Sequence, residues 1–150
     1  MRRIFIFLVL FFQIAIHVNG QERHLKNAKN FIEKGTFDKA IERINTYEGS
    51  VGVKYESLYY RYLLLYKSTP TLVGLDSAIT LLKASNRMYL EEQDAKKKTE
   101  FCEDLQVCGE EFSTLIQARE LELVELCKLG KTEEQLNWFV QKYAESIHQR

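Results

Sequence analysis

The sequence predicts an all-α chain. Three observations point there. Apolar residues recur at three- and four-residue spacing along most of the length, the period of one helix face. Gly35 and Gly130 each follow such a run and precede capping residues, as glycines at helix ends do. One Pro and seven Gly in 150 residues are few breaks, which suits long helices better than a many-turned β-sandwich.

The first element is a leader. Residues 1–20 read MRRIFIFLVLFFQIAIHVNG. Arg2 and Arg3 make a positive start, Ile4–Ile16 is an apolar run broken only by Gln13, and Asn19 and Gly20 are small. That order is the design of a secretory signal peptide. The run is shorter than the roughly 18 apolar residues that span a bilayer. A retained signal anchor is the alternative. The expected division is therefore 1–20 signal peptide and 21–150 a single helical domain, exported to a periplasmic or extracellular space. Membrane contact is expected only through an uncleaved leader.

In residues 22–47, Leu25, Ala28, Phe31 and Ile32 mark one helix and Gly35 stops it. Thr36 is placed to cap the next helix, with Asp38 in its first turn. Phe37, Ala40, Ile41 and Ile44 form that helix's stripe, so the pair is a tight αα-hairpin. Residues Glu48 to Gly52 are expected to turn. A helix over residues 54–67 follows, because Tyr55, Tyr59, Tyr62 and Tyr66 fall at i, i+4, i+7 and i+11. A strand through Val51, Val53 and Tyr55 is the competing reading, since tyrosine-rich alternating runs favour sheets. Ser68-Thr69-Pro70-Thr71 breaks the chain, and a further helix runs roughly from Val73 to Ser85 on Leu75, Ala78, Ile79 and Leu82.

Over 88–129, Phe101, Leu105, Cys108, Phe112 and Leu115 keep a 4-3-4-3 spacing, and Ile116, Leu123, Val124 and Cys127 continue the stripe. Two helices, or one helix kinked near 107–112, satisfy this pattern. Glu91 to Glu103, with Lys96-Lys97-Lys98, reads mostly as a solvated face. After Gly130, Thr132-Glu133-Glu134-Gln135 is a capping box. Leu136, Phe139, Val140 and Tyr143 mark a final helix.

The run Ala28-x-x-Phe31-x-x-x-Gly35-x-Phe37-x-x-Ala40-Ile41-x-x-Ile44 resembles a tetratricopeptide repeat. A small residue and an aromatic precede the glycine turn there, and an aromatic, an Ala and a bulky residue follow it. Ala78 stands in a setting like that of Ala40, 38 residues later, close to the family's repeat length. Tyr47 departs from the pattern, since the family usually has Ala there, and no Pro closes the unit. Gln135 departs likewise. The resemblance implies a short right-handed solenoid of αα-hairpins, six or seven helices in all after the leader. It also implies a concave groove lined by the first helices of successive units. Lys29, Ile32 and Glu33 would face that groove in the first unit, and Val124, Cys127 and Lys128 in the last. Tyr59, Tyr62 and Tyr66 are the candidates in the second, with packing between helices as the plainer role.

Bulk properties narrow the function. Lys+Arg and Asp+Glu are both 21, and removing the leader leaves 19 basic against 21 acidic residues. That balance lacks the cationic surplus nucleic-acid binding needs. Cys102, Cys108 and Cys127 are the only cysteines, read as small apolar core residues, although export permits a disulfide. His24 and His148 stand near opposite ends of the mature chain, so neither a metal site nor a Ser- or Cys-based nucleophile finds its partners. No phosphate loop is present. The expectation is a non-enzymatic, cofactor-free scaffold or adaptor binding another protein or peptide. A structural subunit of an envelope assembly and an inhibitor or immunity-type binder of one enzyme are the alternatives.

Overall fold

The computed structural model describes residues 23–69, 71–105 and 109–129. The leader and the turn at Gly130 with the final helix expected after it lie outside them. Among the described residues all regular structure is helical, and six helices pack together. The strand reading of Val51–Tyr55 is thereby set aside.

Helix α1 covers 23–33, and buries Leu25, Ala28 and Ile32. Gly35 ends it at φ 70°, a left-handed conformation that glycine adopts without a Cβ penalty. Its N–H donates to the Ile32 carbonyl at 3.1 Å, and Thr36 N–H donates to Phe31 at 2.8 Å. These two bonds form a Schellman motif, which satisfies carbonyls the helix end leaves open. The Thr36 hydroxyl also donates back to Phe31, at 3.3 Å, and so does not cap the following helix.

Helix α2 (Phe37–Val51) buries Ala40, Ile44 and Tyr47. Ala28 and Ala40 have no exposed surface and share one core cluster, so the hairpin closes on two small side chains. α2 runs through the expected turn at Glu48, and only Gly52 leaves it, at φ 79°. Within the extra turn the Thr46 and Ser50 hydroxyls donate to carbonyls four residues back, and Gly52 N–H closes the helix end on the Glu48 carbonyl. Glu48 also accepts two bonds from Arg61, at 2.9 and 2.5 Å, which ties α2 to the next helix.

Helix α3 (Tyr55–Ser68) is the common wall of two cores. Tyr55, Tyr59 and Tyr62 face one cluster with Leu82, Tyr89, Phe101 and Phe112. Tyr60 faces the α1–α2 cluster. Its start is fixed by buried Ser57, whose Oγ accepts from Lys54 N–H at 3.1 Å, and by Ser85 Oγ, which donates to the Tyr55 carbonyl at 2.7 Å.

Helix α4 (Leu72–Glu91) begins at Thr71, whose Oγ1 accepts from Gly74 N–H at 3.0 Å. A Cβ on Gly74 would sit 2.3 Å from the Thr69 carbonyl, so the tight α3–α4 turn depends on that glycine. α4 outruns the expected end at Ser85 because Tyr89 is drawn into the aromatic cluster, against Phe112 and Phe101. Asp94 caps α5 (Ala95–Leu105) by accepting from the Lys96 and Lys97 N–H groups. Phe101 turns inward from what reads as a solvated segment and meets Tyr55 edge-on at 4.9 Å. Helix α6 (Glu110–Leu129) is separate from α5, so 88–129 is not one kinked helix. α3 packs on α2 and α4, and α4 on α6. Cys102 is disulfide-bonded, which corrects its reading as a core thiol. Cys127 is a free, buried thiol; Cys108 lies outside the described residues.

Candidate functional site

The residues expected to line a groove are divided between the cores and the surface, and among them Tyr59, Tyr62 and Tyr66 meet ring to ring in series along α3. Ile32, Tyr59 and Tyr62 are 2%, 5% and 1% exposed and belong to the cores. Cys127 is 1% exposed and packs with Leu75, Ile79 and Leu123. Glu33 is exposed on α1. Lys29 is half-buried, and its Nζ donates to the Asp104 carbonyl at 3.1 Å, pinning α5 to α1. Val124 is half-buried on α6, and Lys128 is exposed beside Glu125 at 2.8 Å. Tyr66 is half-buried at the far end of α3. A helical stripe reveals which residues share a face, but not which neighbouring helix covers it.

At that far end Arg119 of α6 joins three α3 and α6 groups. Its Nε donates to Tyr62 Oη at 3.2 Å, and its terminal nitrogen reaches Tyr66 Oη and Glu122. The guanidinium also lies 4.2 Å from the centre of the Tyr66 ring. Every polar group in this set has a partner. It is an interhelical lock.

The opposite end of α3 is different. A cavity of about 570 Å³ lies between the α1–α2 hairpin, the start of α3 and the overlying α5. Its volume falls within the range typical of ligand sites. Leu25, Tyr47, Val51, Tyr60, Phe101 and Leu105 give it apolar and aromatic lining. Tyr55 and Glu56 line it too, and here satisfaction fails. Tyr55 Oη and Glu56 Oε2 are buried with no hydrogen-bond partner. The Tyr55 hydroxyl and the Glu56 carboxylate act on each other's titration as neighbouring hydrogen-bonding groups do, although Tyr55 Oη and Glu56 Oε2 complete no well-formed bond. Burial pushes the Glu56 carboxyl above the ordinary carboxylate value, with nearby Glu92 adding to the rise. Its own backbone N–H and Lys97 oppose that rise. Burial raises the Tyr55 and Tyr60 hydroxyls as well.

Charge around the cavity is unbalanced. Glu56, Glu92, Glu100, Glu103 and Asp104 contribute five carboxylates against the ammonium groups of Lys26, Lys54 and Lys97. Two of those lysines lean on acids: Lys26 on Asp104 and Lys97 on Asp94, each at 4.0 Å. Among the described residues no group of three or more His, Cys, Asp or Glu side chains is placed to hold a metal ion. Among them, too, no helix is long and apolar enough to cross a membrane. The chain matches no family model, no curated protein and no solved structure. The chemistry of the cavity therefore rests on its geometry.

Reasoning from sequence missed Glu56. The one available signal was its place beside Tyr55 at a helix start, in a strongly aromatic stretch. The cavity it lines is closed on one side by α5, which arrives from about 45 residues along the chain.

Proposed function

We propose that the chain is an exported, non-enzymatic binding module that holds a partner protein at the cavity between the α1–α2 hairpin and α5. The observation that carries this reading is the pair of unpartnered buried oxygens, Tyr55 Oη and Glu56 Oε2, beside an open, aromatic-lined space. Leaving a buried polar group unsatisfied costs about 1–3 kcal/mol, so a partner that completes them gains that energy on binding.

Two finer elements belong to the proposal. Residues 1–20 act as a cleaved signal peptide, and a disulfide at Cys102 suits the oxidising space beyond the membrane. The hairpins follow a tetratricopeptide-like plan as a short solenoid. The fully buried Ala40 and Ala78, 38 residues apart on the second helix of successive hairpins, support that plan.

The test is affinity capture from the exported fraction of the host, comparing the native chain with Val51→Arg. Val51 lines the cavity and is half-buried, so arginine there reaches into the space. A partner retained by the native chain and lost from a folded Val51→Arg variant is the expected result. A partner held equally by both moves the binding surface elsewhere.

A further inference from the structure

We infer that the cavity takes a primary ammonium group on an aliphatic stem, delivered by a lysine side chain of the partner protein. The inference rests on the binding-module reading and names what that module recognises.

The chain holds an internal precedent. At the far end of α3, two tyrosine hydroxyls and a carboxylate, Tyr62, Tyr66 and Glu122, are satisfied by one cation, Arg119. At the near end Tyr55 Oη and Glu56 Oε2 present the same kinds of acceptor, and no cation among the described residues bonds them. Five carboxylates against three lysines make the space favourable to positive charge.

The geometry selects ammonium over guanidinium. The Glu56 carboxylate offers one buried oxygen without a hydrogen-bond partner. A planar fork needs two free carboxylate oxygens for its paired bonds, whereas a compact ammonium needs one. Tyr55 Oη accepts a second N–H, and a third turns toward Glu92. The apolar residues Leu25, Val51 and Leu105 suit the four methylenes of a lysine stem. An anion is disfavoured despite the helix start, because the Lys54 N–H there is taken by Ser57 Oγ and carboxylates outnumber lysines around the space.

The test is an NMR titration of the chain, purified as its host exports it, with four probes. Nα-acetyl-lysine N-methylamide represents the partner's side chain, and butylamine a free amine. The norleucine analogue and butanol are their neutral counterparts. Shifts confined to cavity residues are expected with both amines, with the neutral probes binding about tenfold more weakly or worse, the scale of a lost charge-assisted hydrogen bond. Glu56→Gln should weaken the lysine amide by about the same factor while unfolding no earlier than the native chain. Exposed Glu125→Gln should bind as the native chain does. Equal binding of the lysine and norleucine amides overturns the inference, as does undiminished binding by Glu56→Gln. Binding of butylamine but not of the lysine amide overturns the lysine source. The capture experiment reads the partner and this titration reads the cavity, so each can fail without the other.

Discussion

The two ends of α3 carry similar chemistry and opposite bookkeeping. At its C-terminal end Tyr62 and Tyr66 are joined to Glu122 by a guanidinium that bonds and stacks at once. At its N-terminal end Tyr55 Oη and Glu56 Oε2 are buried without such a cation, beside a cavity of about 570 Å³. The first arrangement holds α3 against α6. The second leaves interaction energy unused within the chain, which is what a recognition site requires and a purely structural helix start does not. The difference also shows why aromatic content alone says little about function. Tyr59 and Tyr62 are core residues, and Tyr66 belongs to the lock.

The cavity end stands on the α1–α2 hairpin, so the strongest way to break the comparison is to part that hairpin. Ala40 has no exposed surface and packs in the cluster that holds Ala28. Overpacking costs about 1–3 kcal/mol and a buried unpaired charge adds to it, so Ala40→Glu should lose more than about 3 kcal/mol in urea unfolding. Ala40→Leu should fall between. The neighbouring exposed Lys39→Glu should change stability by no more than about 1 kcal/mol, the scale of its cation–π contact with Phe31. A native midpoint for Ala40→Glu would remove the close helix contact on which the cavity rests.

Next in size is the lock itself. Arg119→Met keeps much of the stem and removes the donors, which leaves Tyr62 Oη and Glu122 without their cation. A loss of about 1–3 kcal/mol is expected, as for a hydrogen bond to a charged group in a partly buried site. A variant as stable as the native chain would make this end as inert as an ordinary surface pair.

Smaller effects separate two acids by sign. Arg61, through its hydrogen bonds, holds Glu48 below the ordinary carboxylate value. Its contribution is present above the unfolded value of 4.5 and is lost as pH falls through the lowered folded value. Glu56 runs the other way. Its folded carboxyl is raised by burial, so stability is greatest below 4.5 and declines as pH rises through the raised value. Hence Glu48→Gln should lose about 1 kcal/mol at pH 7, in keeping with an ion pair whose side chains are only 33% and 13% exposed. Glu56→Gln should be as stable as the native chain or more so. Chemical unfolding of both variants at several pH values reads the two signs.

Much of this fold is legible in sequence because helix faces are local. The stripes Leu25–Ala28–Ile32, Ala40–Ile44 and Tyr55–Tyr59–Tyr62 all turn inward at the expected spacing. Helix ends are less local. α2 gains a turn where Tyr47 is buried and Glu48 bonds Arg61 of α3, and α4 gains one because Tyr89 finds Phe112 and Phe101 across the core. The site is least local of all. Glu56 has the composition of any acid at a helix start, where carboxylates are favoured by the helix dipole. The cavity it lines is closed on one side by α5, and α5 is held there by Phe101 inside and by Lys29 on Asp104 outside. Lys29 therefore shapes the site by holding α5 in place, although it does not line the cavity.

The most direct measurement is the titration of the Glu56 carboxyl by carbon-detected NMR, in the free chain and with butylamine present. The titratable groups that act on it are Tyr55 of the same helix, Glu92 from the link before α5, and Lys97 of α5. The expected midpoint in the free chain lies above 4.5, the ordinary value, and moves down as the amine binds. A Glu56 that titrates at or below 4.5 without amine, and does not move when amine is added, would contradict an uncompensated carboxylate at this end of α3.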